Sequence, residues 1–202
     1  MRELMTKEER HQHILDTAKH IFQEDGYDNV TIADVIKRSN VARGTFYLHF
    51  DSLEALLTGL FEDAVQKTWA RIDPILSNME ISFETCTIEV IHAVFDMFQD
   101  DPALGAVFYS GGGQEFMQRK QEIMFKEMGG RLVEALEHRH GAKIPNLEWT
   151  VTMLISLIGD MSYYAVGQIA KNQRDAFEAH AIEFVLAGMR KHLEPHVPGS
   201  TL

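Results

Sequence analysis

The sequence contains a single cysteine, Cys86, in 202 residues. No disulfide can therefore form within the chain, and nothing in the composition requires an oxidising compartment. A lone thiol is interpreted first as a small buried hydrophobic residue, because a redox-sensing cysteine needs an exposed and electropositive environment. A redox role is kept as the alternative.

Long hydrophobic runs are also missing. The N-terminus lacks the apolar stretch of a secretion signal. The longest uncharged run in the C-terminal half, residues 149–159, has 11 residues, whereas about 20 are needed to cross a bilayer. The sequence therefore predicts a cytoplasmic protein that does not associate with a membrane.

An excess of positive charge, the usual electrostatic sign of a nucleic-acid-binding protein, is absent, since the formal net charge is −11. Residues 1–50 carry 7 basic and 8 acidic residues, whereas residues 51–202 carry 12 and 22. The acidity thus lies almost entirely outside the N-terminal quarter. A nucleic-acid partner for that quarter has to be argued from a motif rather than from charge.

No run of alternating apolar and polar residues predicts a strand, whereas apolar residues recur at helical spacing almost throughout. The sequence predicts an all-α fold of about nine helices, separated by Gly26, Asn40, the glycines at 111–113 and the segment 141–145. The predicted helices cover residues 7–25, 32–39, 43–49, 52–77, 82–99, 102–111, 114–140, 147–170 and 175–193. The change from short to long helices predicts two domains, a three-helix head at 1–50 and a helical ligand-binding and dimerisation bundle at 51–202.

Residues 31–50 have the pattern of two short helices joined by a tight turn. Thr31 opens a capping-box pattern, and Asn40 suits the left-handed backbone of such a turn. After the turn, Phe46 and Phe50 share one helical face and leave the other face largely polar. This arrangement is typical of a helix-turn-helix that places its second helix in a DNA major groove. The alternative is a three-helix core whose exposed side is simply polar.

The exposed face of the second short helix carries side chains that suit a duplex. Arg43 can bind guanine in a bidentate manner, Thr45 can reach a base or a phosphate, and Gly44 lets the backbone approach closely. Tyr47 and His49 can donate hydrogen bonds to phosphate oxygens. The predicted DNA-binding residues are Thr31, Lys37, Ala42, Arg43, Gly44, Thr45, Tyr47, Leu48 and His49.

The segment from residue 31 to residue 57, T-I-A-D-V-I-K-R-S-N-V-A-R-G-T-F-Y-L-H-F-D-S-L-E-A-L-L, resembles the signature of the tetracycline-repressor (TetR) family of transcriptional regulators. The resemblance implies phosphate contacts by Thr31, Tyr47 and His49. It departs from the family pattern at Leu53, where a lysine is common, which puts one backbone contact in question and implies a weaker salt dependence. Leu48 is apolar on the outward face, which suits either a thymine methyl or an ordinary surface leucine.

The bundle is rich in bulky apolar side chains, most of which are interpreted as ordinary core. A second capping-box pattern, D-S-L-E from Asp51, predicts the start of the helix at 52–77. The resemblance to the TetR family implies that this helix acts as a pendulum: a bound ligand tilts it, and the two DNA-binding heads of a dimer move as a result. We expect a small apolar or aromatic effector and no other cofactor. The candidate ligand-binding residues are Trp69, His92, Phe95, Phe98, Phe108, Met117, Phe125, Met153 and Tyr163.

The last two predicted helices, 147–170 and 175–193, look like the pair through which TetR-family members form homodimers. A dimer is expected because one such head buries too little surface for specific DNA binding. The helix at 147–170 has few charges, so it equally suits the central helix of the bundle.

No pattern predicts an enzyme or a metal site: the sequence has neither a zinc motif nor a nucleophile elbow. His138-Arg139-His140 favours a helix end over a metal site. The stretch 110–114 has glycines that could cradle a phosphate, but no strand precedes it and no P-loop lysine follows, so a flexible loop is expected. The predicted function is a ligand-responsive repressor that binds a palindromic double-stranded DNA operator as a dimer. A helical protein-interaction adaptor without DNA binding is the alternative.

Overall fold

The computed structural model describes residues 5–193, with side chains from 5 to 190, and this part of the chain contains no strand. A π-helix at Glu122–Met128 joins α7 to α8 without a break, so the described chain forms nine helical rods, which confirms the predicted all-α class. Two short 3₁₀ helices lie at Tyr27–Asn29 and Lys171–Gln173. The α-helices are α1 (Lys7–Asp25), α2 (Ile32–Ser39), α3 (Arg43–Tyr47), α4 (Leu53–Ser77), α5 (Phe83–Asp100), α6 (Leu104–Phe108), α7 (Gln114–Gln121), α8 (Gly129–His140), α9 (Leu147–Gln168) and α10 (Arg174–Leu193). No helix within the described residues combines the length and the apolar character that a membrane span requires.

Local sequence signals fix several helix ends as predicted. Thr31 and Asp34 form a capping box, in which the amide of Asp34 donates to Thr31 Oγ1 at 3.3 Å and the amide of Thr31 donates to Asp34 Oδ2 at 3.0 Å. Gly26 and Asn40 end α1 and α2 with φ of 77° and 53°. These are conformations that glycine and asparagine adopt more readily than other residues.

The capping box predicted from Asp51 is wrong. Helix α4 begins at Leu53, and the amide of Ala55 donates to Ser52 Oγ at 2.9 Å, so Ser52 is the cap. The residue three positions after this cap is Ala55, which has no carboxylate to return the bond. Glu54, which the pattern assigned to this box, instead binds another helix.

Helices α3 and α6 are shorter than predicted. Helix α3 ends at Tyr47, where the amide of Leu48 is shared between the carbonyls of Gly44 and Thr45 and the helix tightens. Helix α6 covers only Leu104–Phe108. Lys120 donates to the carbonyl oxygen of Phe108, so that oxygen is satisfied without a further turn of helix.

The chain divides into two compact units. The first contains the described residues up to Ala70 together with Met97–Met128, and the second contains Arg71–Asp96 together with the described residues from Gly129 onward. The predicted domain boundary at residue 50 concerned function and stays a prediction.

One continuous core holds the first unit together. It includes five residues of α1 whose helical spacing puts them on one face: Ile14, Leu15, Ala18, Ile21 and Phe22. The same core extends from α2 and α3 through α4 to α6 and α7, and its fully buried members there are Val35, Phe46, Leu56, Leu57, Phe61, Val107 and Phe116. The three head helices are therefore packed on the first half of α4 and do not have a core of their own.

The glycines before α7 permit a close approach of chain segments. Gly112 has a φ of +46°, and a Cβ there would lie 2.2 Å from the ring of Phe116. A Cβ at Gly113 would lie 2.4 Å from Glu54 Oε1, and that oxygen accepts a hydrogen bond from the amide of Phe116 at 2.8 Å. Glu54 of α4 thus caps α7. The expectation of a flexible loop is corrected, since packing explains two of the glycines.

The core of the second unit is formed by α5, α9 and α10. Ile91, Phe95, Ala165 and Val185 are buried in it. Cys86 is also buried, and burial raises the pKa of its thiol, which supports its interpretation as a small hydrophobic residue.

Arg139 of α8 binds the end of α4 and the chain that follows it. Its guanidinium donates to the carbonyl oxygens of Leu76 at 3.2 Å and Ile81 at 2.8 Å, and also to that of Asn78. The last carbonyls of a helix have no partner within that helix. Arg139 therefore serves the end of α4, whereas the sequence predicted a role at the end of its own helix.

Candidate DNA interface

The turn between α2 and α3 is held by hydrogen bonds to its backbone. Ser39 is buried, and its Oγ donates to the carbonyl oxygen of Val35 at 2.7 Å. His13 Nε2 of α1 lies 2.9 Å from the carbonyl oxygen of Ser39, which can only accept. The His13 contact joins the end of α2 to α1, and Asn40 in the left-handed conformation ends α2 before α3 begins.

Helix α3 has one buried and one exposed face, as predicted. Phe46 is fully buried and Phe50, just beyond the helix, is nearly so. On the other side, Tyr47 is 41% exposed and Leu48 is 77% exposed. A five-residue helix held by so few buried side chains presents most of its surface outward, which is what a recognition helix requires.

The glycine in this helix is not required by the fold. A Cβ at Gly44 would meet no other atom of the described chain within 4 Å. Glycine within a helix is unfavourable relative to alanine by about 0.5–1 kcal/mol. Internal packing therefore does not explain the glycine at this position.

Arg43 and Tyr47 lie one turn apart and interact. The guanidinium carbon of Arg43 lies 5.7 Å from the centre of the Tyr47 ring, in cation–π geometry. Both side chains are exposed. The contact orients the guanidinium along the outer face of α3 and keeps its five donors available.

The start of α2 is more acidic than a phosphate site requires. Thr31 Oγ1 donates to Asp34 Oδ2 at 2.5 Å, and this bond and that from the Thr31 amide lower the pKa of the Asp34 carboxyl. The Thr31 hydroxyl proton is therefore already bound. The capping box does not use the amides of Ile32 and Ala33, and these amides are the donors that a phosphate would meet at this helix end.

Two neighbouring cations of α2 differ in availability. Arg38 pairs with Glu24 and with Asp25, the latter at 3.1 Å, so its charge is largely neutralised within the head. Lys37 is exposed and remains a predicted phosphate contact. Leu53, the departure from the TetR pattern, is half-buried and packs against the core of the first unit.

The other predicted DNA-binding residues lie near α3. Ala42 is the exposed residue that precedes the helix, and Thr45 is half-buried within it. His49 follows the helix, and its ring centre lies 5.5 Å from that of His11 on α1. Sequence analysis missed His11, because only the folded head brings residues 11 and 49 together.

The candidate ligand-binding residues are distributed over both units. Trp69, Phe98, Phe108, Met117 and Phe125 belong to the first unit, and the others belong to the second. Phe98 and Phe108 pack together with ring centres 5.5 Å apart. In the second unit Phe95 is buried, and the side chain of His92 lies 2.6 Å from Glu178 Oε1. The exposed residues of the set are His92, Met117, Phe125, Met153 and Tyr163.

Helix α9 is apolar on two faces. Val151, Ile155 and Ala165 are buried, whereas Trp149 is 64% exposed and Met153 is 60% exposed. Tyr163 and Tyr164 are also exposed along this helix, and Phe184 of α10 is 63% exposed. The two interpretations of residues 147–170 are therefore compatible, since the helix contributes to the bundle and also has an outward apolar face.

Residues 14–60 match the model of the family described as bacterial regulatory proteins, tetR family. The chain is also 26% identical over 153 residues to the uncharacterized HTH-type transcriptional regulator YvdT of Bacillus subtilis (strain 168), which covers 74% of this chain and 78% of that protein. The family match thus falls on the helices that form the candidate DNA interface.

Solved structures show the same fold over most of the chain. The fatty acid degradation regulator FadR from Bacillus halodurans superposes with a TM-score of 0.72, 22% identity and coverage of 94% of this chain and 99% of that one. The regulator FadR from Bacillus subtilis in complex with stearoyl-CoA gives a TM-score of 0.68, 21% identity and coverage of 88% and 98%. At these identities the likeness is one of fold.

Proposed function

This chain is a helix-turn-helix transcriptional regulator of the TetR family, and from that premise we propose that it acts as a homodimeric repressor released by a small apolar effector. The observation that carries the proposal is the outward face of α3, where Arg43, Tyr47 and the glycine that packing does not explain lie together. Two such faces in a dimer would enter successive major grooves about 34–36 Å apart. The operator is then a palindrome or near-palindrome.

The exposed apolar faces of α9 and α10 support the dimer. Trp149, Met153 and Phe184 leave large apolar surfaces in water. Monomeric proteins rarely expose such surfaces contiguously, and aromatic residues and methionine are enriched at protein interfaces. We assign helices α9 and α10, at the predicted residues 147–170 and 175–193, to the dimer contact.

The effector is proposed to be apolar or aromatic. The nine candidate ligand-binding residues include four phenylalanines, two methionines and one tryptophan, and flexible methionines adapt to varied apolar guests. The FadR from Bacillus subtilis, which shares the fold, forms a complex with stearoyl-CoA. Acyl chains are therefore the first effector class to test here, followed by aromatic compounds.

Selection of bound sequences from a random duplex pool tests the proposal directly. We expect a two-fold symmetric sequence to emerge, and Arg43→Ala to lose about 1–3 kcal/mol of discrimination at one base pair of each half-site. Lys171→Gln, which removes a cation from an exposed position in the second unit, is the matched control and should bind like the wild type. A folded dimer that prefers no duplex over bulk competitor would refute the proposal and return the adaptor alternative.

Acyl-CoA thioesters, free fatty acids and aromatic compounds are then added to the complex of protein and selected duplex. Release by one class with saturation identifies the effector chemistry. Release by none, with the complex intact, would contradict an apolar effector while leaving DNA recognition standing.

A further inference from the structure

A cluster of imidazole and cationic side chains lies where the beginning of α1 meets the end of α3. The His11 ring stacks on Phe50, with centres 4.7 Å apart and an angle of 27° between the planes. The ring centre of His11 also lies 5.5 Å from that of His49. Both imidazoles are half-buried, so each retains an edge toward solvent.

Two further cations of α1 act on this cluster. The pKa of the His49 imidazole is lowered, first by burial and then by the positive charges of His11, Lys7 and Arg10, against the opposing effect of Glu8. Lys7 lies one helical turn before His11 and is exposed. Among the described residues no carboxylate is paired with Lys7. Lys7 and Arg10 thus bring positive charge close to the end of the recognition helix, and the same turns of α1 also carry the carboxylates of Glu8 and Glu9, the second of which accepts from the amide of Thr6.

Two other cations of the head, Lys19 and Arg38, are already neutralised, whereas Lys37 and Arg43 are exposed. Arg38 is bound to Glu24 and Asp25, and Lys19 is bound to Asp101 at 2.5 Å. Position 53 supplies an apolar side chain, and the start of α2 carries the Asp34 carboxylate. A phosphate that lies beside the end of α3 therefore has the Lys7 ammonium and two imidazoles within one region of the head, whereas the start of α2 offers a carboxylate and position 53 offers an apolar side chain.

We propose that Lys7 and His11 of α1 form, together with His49, a second DNA-backbone contact that binds a phosphate adjoining the groove occupied by α3. This inference rests on the proposed DNA contact of α3. Two imidazoles at this spacing can both donate to the oxygens of one phosphate, and a phosphate relieves the repulsion that they exert on each other when both are protonated.

The contact has a pH dependence whose sign follows from the charge of the phosphate. A phosphate anion beside the two imidazoles favours their protonated forms. Binding then takes up protons and is stronger at low pH. His11 and His49 also line a depression on the surface of the first unit. The other charged groups that line this depression are Asp51, Glu54, Glu62 and Asp63, before and along α4, and Glu115, Arg119, Glu122 and Lys126, along α7 and the π-helix.

The experiment compares Lys7→Gln and His11→Gln with two matched controls in full-length protein bound to its selected duplex. Lys171→Gln makes the same change as Lys7→Gln at a distant exposed position. His20→Gln makes the same change as His11→Gln on the exposed side of the same helix, where the ring contacts only the carbonyl oxygen of Asp16 among the described residues. Circular dichroism verifies that each variant is folded.

Removal of one phosphate contact lowers the salt dependence in a calculable way. The logarithm of the affinity changes with the logarithm of salt by about 0.9 per contact, so between about 50 and about 200 mM salt the wild-type affinity should change by about 3.5-fold more than that of Lys7→Gln. Between about pH 6 and about pH 8, the range in which imidazole titrates, the affinity of His11→Gln should fall less than that of the wild type. Neither control should alter its slope.

The outcomes separate this inference from the proposed function. Absence of any duplex preference in the wild type would remove both. A wild type that selects an operator, with Lys7→Gln and His11→Gln keeping the wild-type salt and pH slopes, would overturn the contact by α1 alone. If His11→Gln does not fold because the stacking of His11 on Phe50 is needed for stability, the salt slope of Lys7→Gln decides. Lys7 is exposed, so its variant folds in either case.

Discussion

The contact between Glu54 and Gly113, the glycine before α7, can be tested by a double-mutant cycle in which the effect of Gly113→Ala on stability changes sign. Glu54→Ala removes the carboxylate that accepts from the amide of Phe116 at 2.8 Å. Loss of a helix cap destabilises a protein by about 0.5–2 kcal/mol. Gly113→Ala places a Cβ 2.4 Å from Glu54 Oε1 and 2.8 Å from Cδ, so the carboxylate has to move and the same cap is lost.

The two changes should not add. Gly113 has a φ of −86°, which alanine adopts without strain. In the Glu54→Ala background the collision is absent, and alanine stabilises by about 0.4–1 kcal/mol because it restricts the unfolded chain. Gly113→Ala should therefore destabilise the wild type by up to about 2 kcal/mol and stabilise Glu54→Ala, which amounts to a coupling energy of roughly 1–3 kcal/mol.

Urea unfolding followed by circular dichroism, at one fixed protein concentration because the protein is proposed to dimerise, measures all four free energies. Gly130→Ala is the control, since a Cβ at this glycine of α8 would contact nothing within 4 Å. Its effect should be the same in both backgrounds. If Gly113→Ala lowers the stability equally with and without Glu54, the capping of α7 by α4 is refuted.

Three further predictions concern the DNA face, the dimer and a buried acid. Gly44→Ala should raise the free energy of unfolding by about 0.5–1 kcal/mol. The same change should weaken binding to the selected duplex about tenfold, or ~1.4 kcal/mol, as measured by fluorescence anisotropy. Unchanged affinity would contradict a close approach of DNA at this position. Phe184→Glu should convert the dimer to a folded monomer in sedimentation experiments, whereas Glu183→Gln on the same helix should not; a stable dimer of Phe184→Glu would exclude this part of α10 from the interface. Burial raises the pKa of the Glu178 carboxyl in the folded protein. The protonated carboxyl therefore stabilises the folded state fully below the ordinary pKa of a glutamate, and this stabilisation is lost as the pH rises through the raised pKa of the folded state. Glu178→Gln should therefore gain thermal stability relative to the wild type between about pH 4 and about pH 8, and a difference that does not change with pH would argue against this origin.

The sequence predicted those parts of the fold that depend on local interactions. Amphipathic spacing placed Ile14 and Phe22 in the core, and short-range signals identified the Thr31 cap and the left-handed Asn40. The same reasoning failed at Asp51, because two adjacent polar residues both suit a helix start and only packing decides between them.

Interactions between residues distant in sequence were not predictable. Glu54 was assigned to its own helix because a capping pattern describes only neighbouring residues, whereas its partner lies 62 positions away. His11 was missed for the same reason, and Arg139 was assigned to the end of its own helix although its partners lie at the end of α4 and beyond. On the DNA face the exposed residue types were predicted from periodicity, but the neutralisation of Arg38 by Glu24 and Asp25 depends on how α2 lies against α1.

The bonds that Arg139 makes limit where this protein can be re-engineered. Residues 78–82 form a short surface connection between α4 and α5, and such connections are usually the first choice for a tag, an inserted reporter or new chain ends. Here the carbonyl oxygens of Asn78 and Ile81 are both held by one guanidinium. An insertion between them would separate two acceptors that a single side chain has to reach, so a biosensor built from this scaffold should receive its insert at another connection.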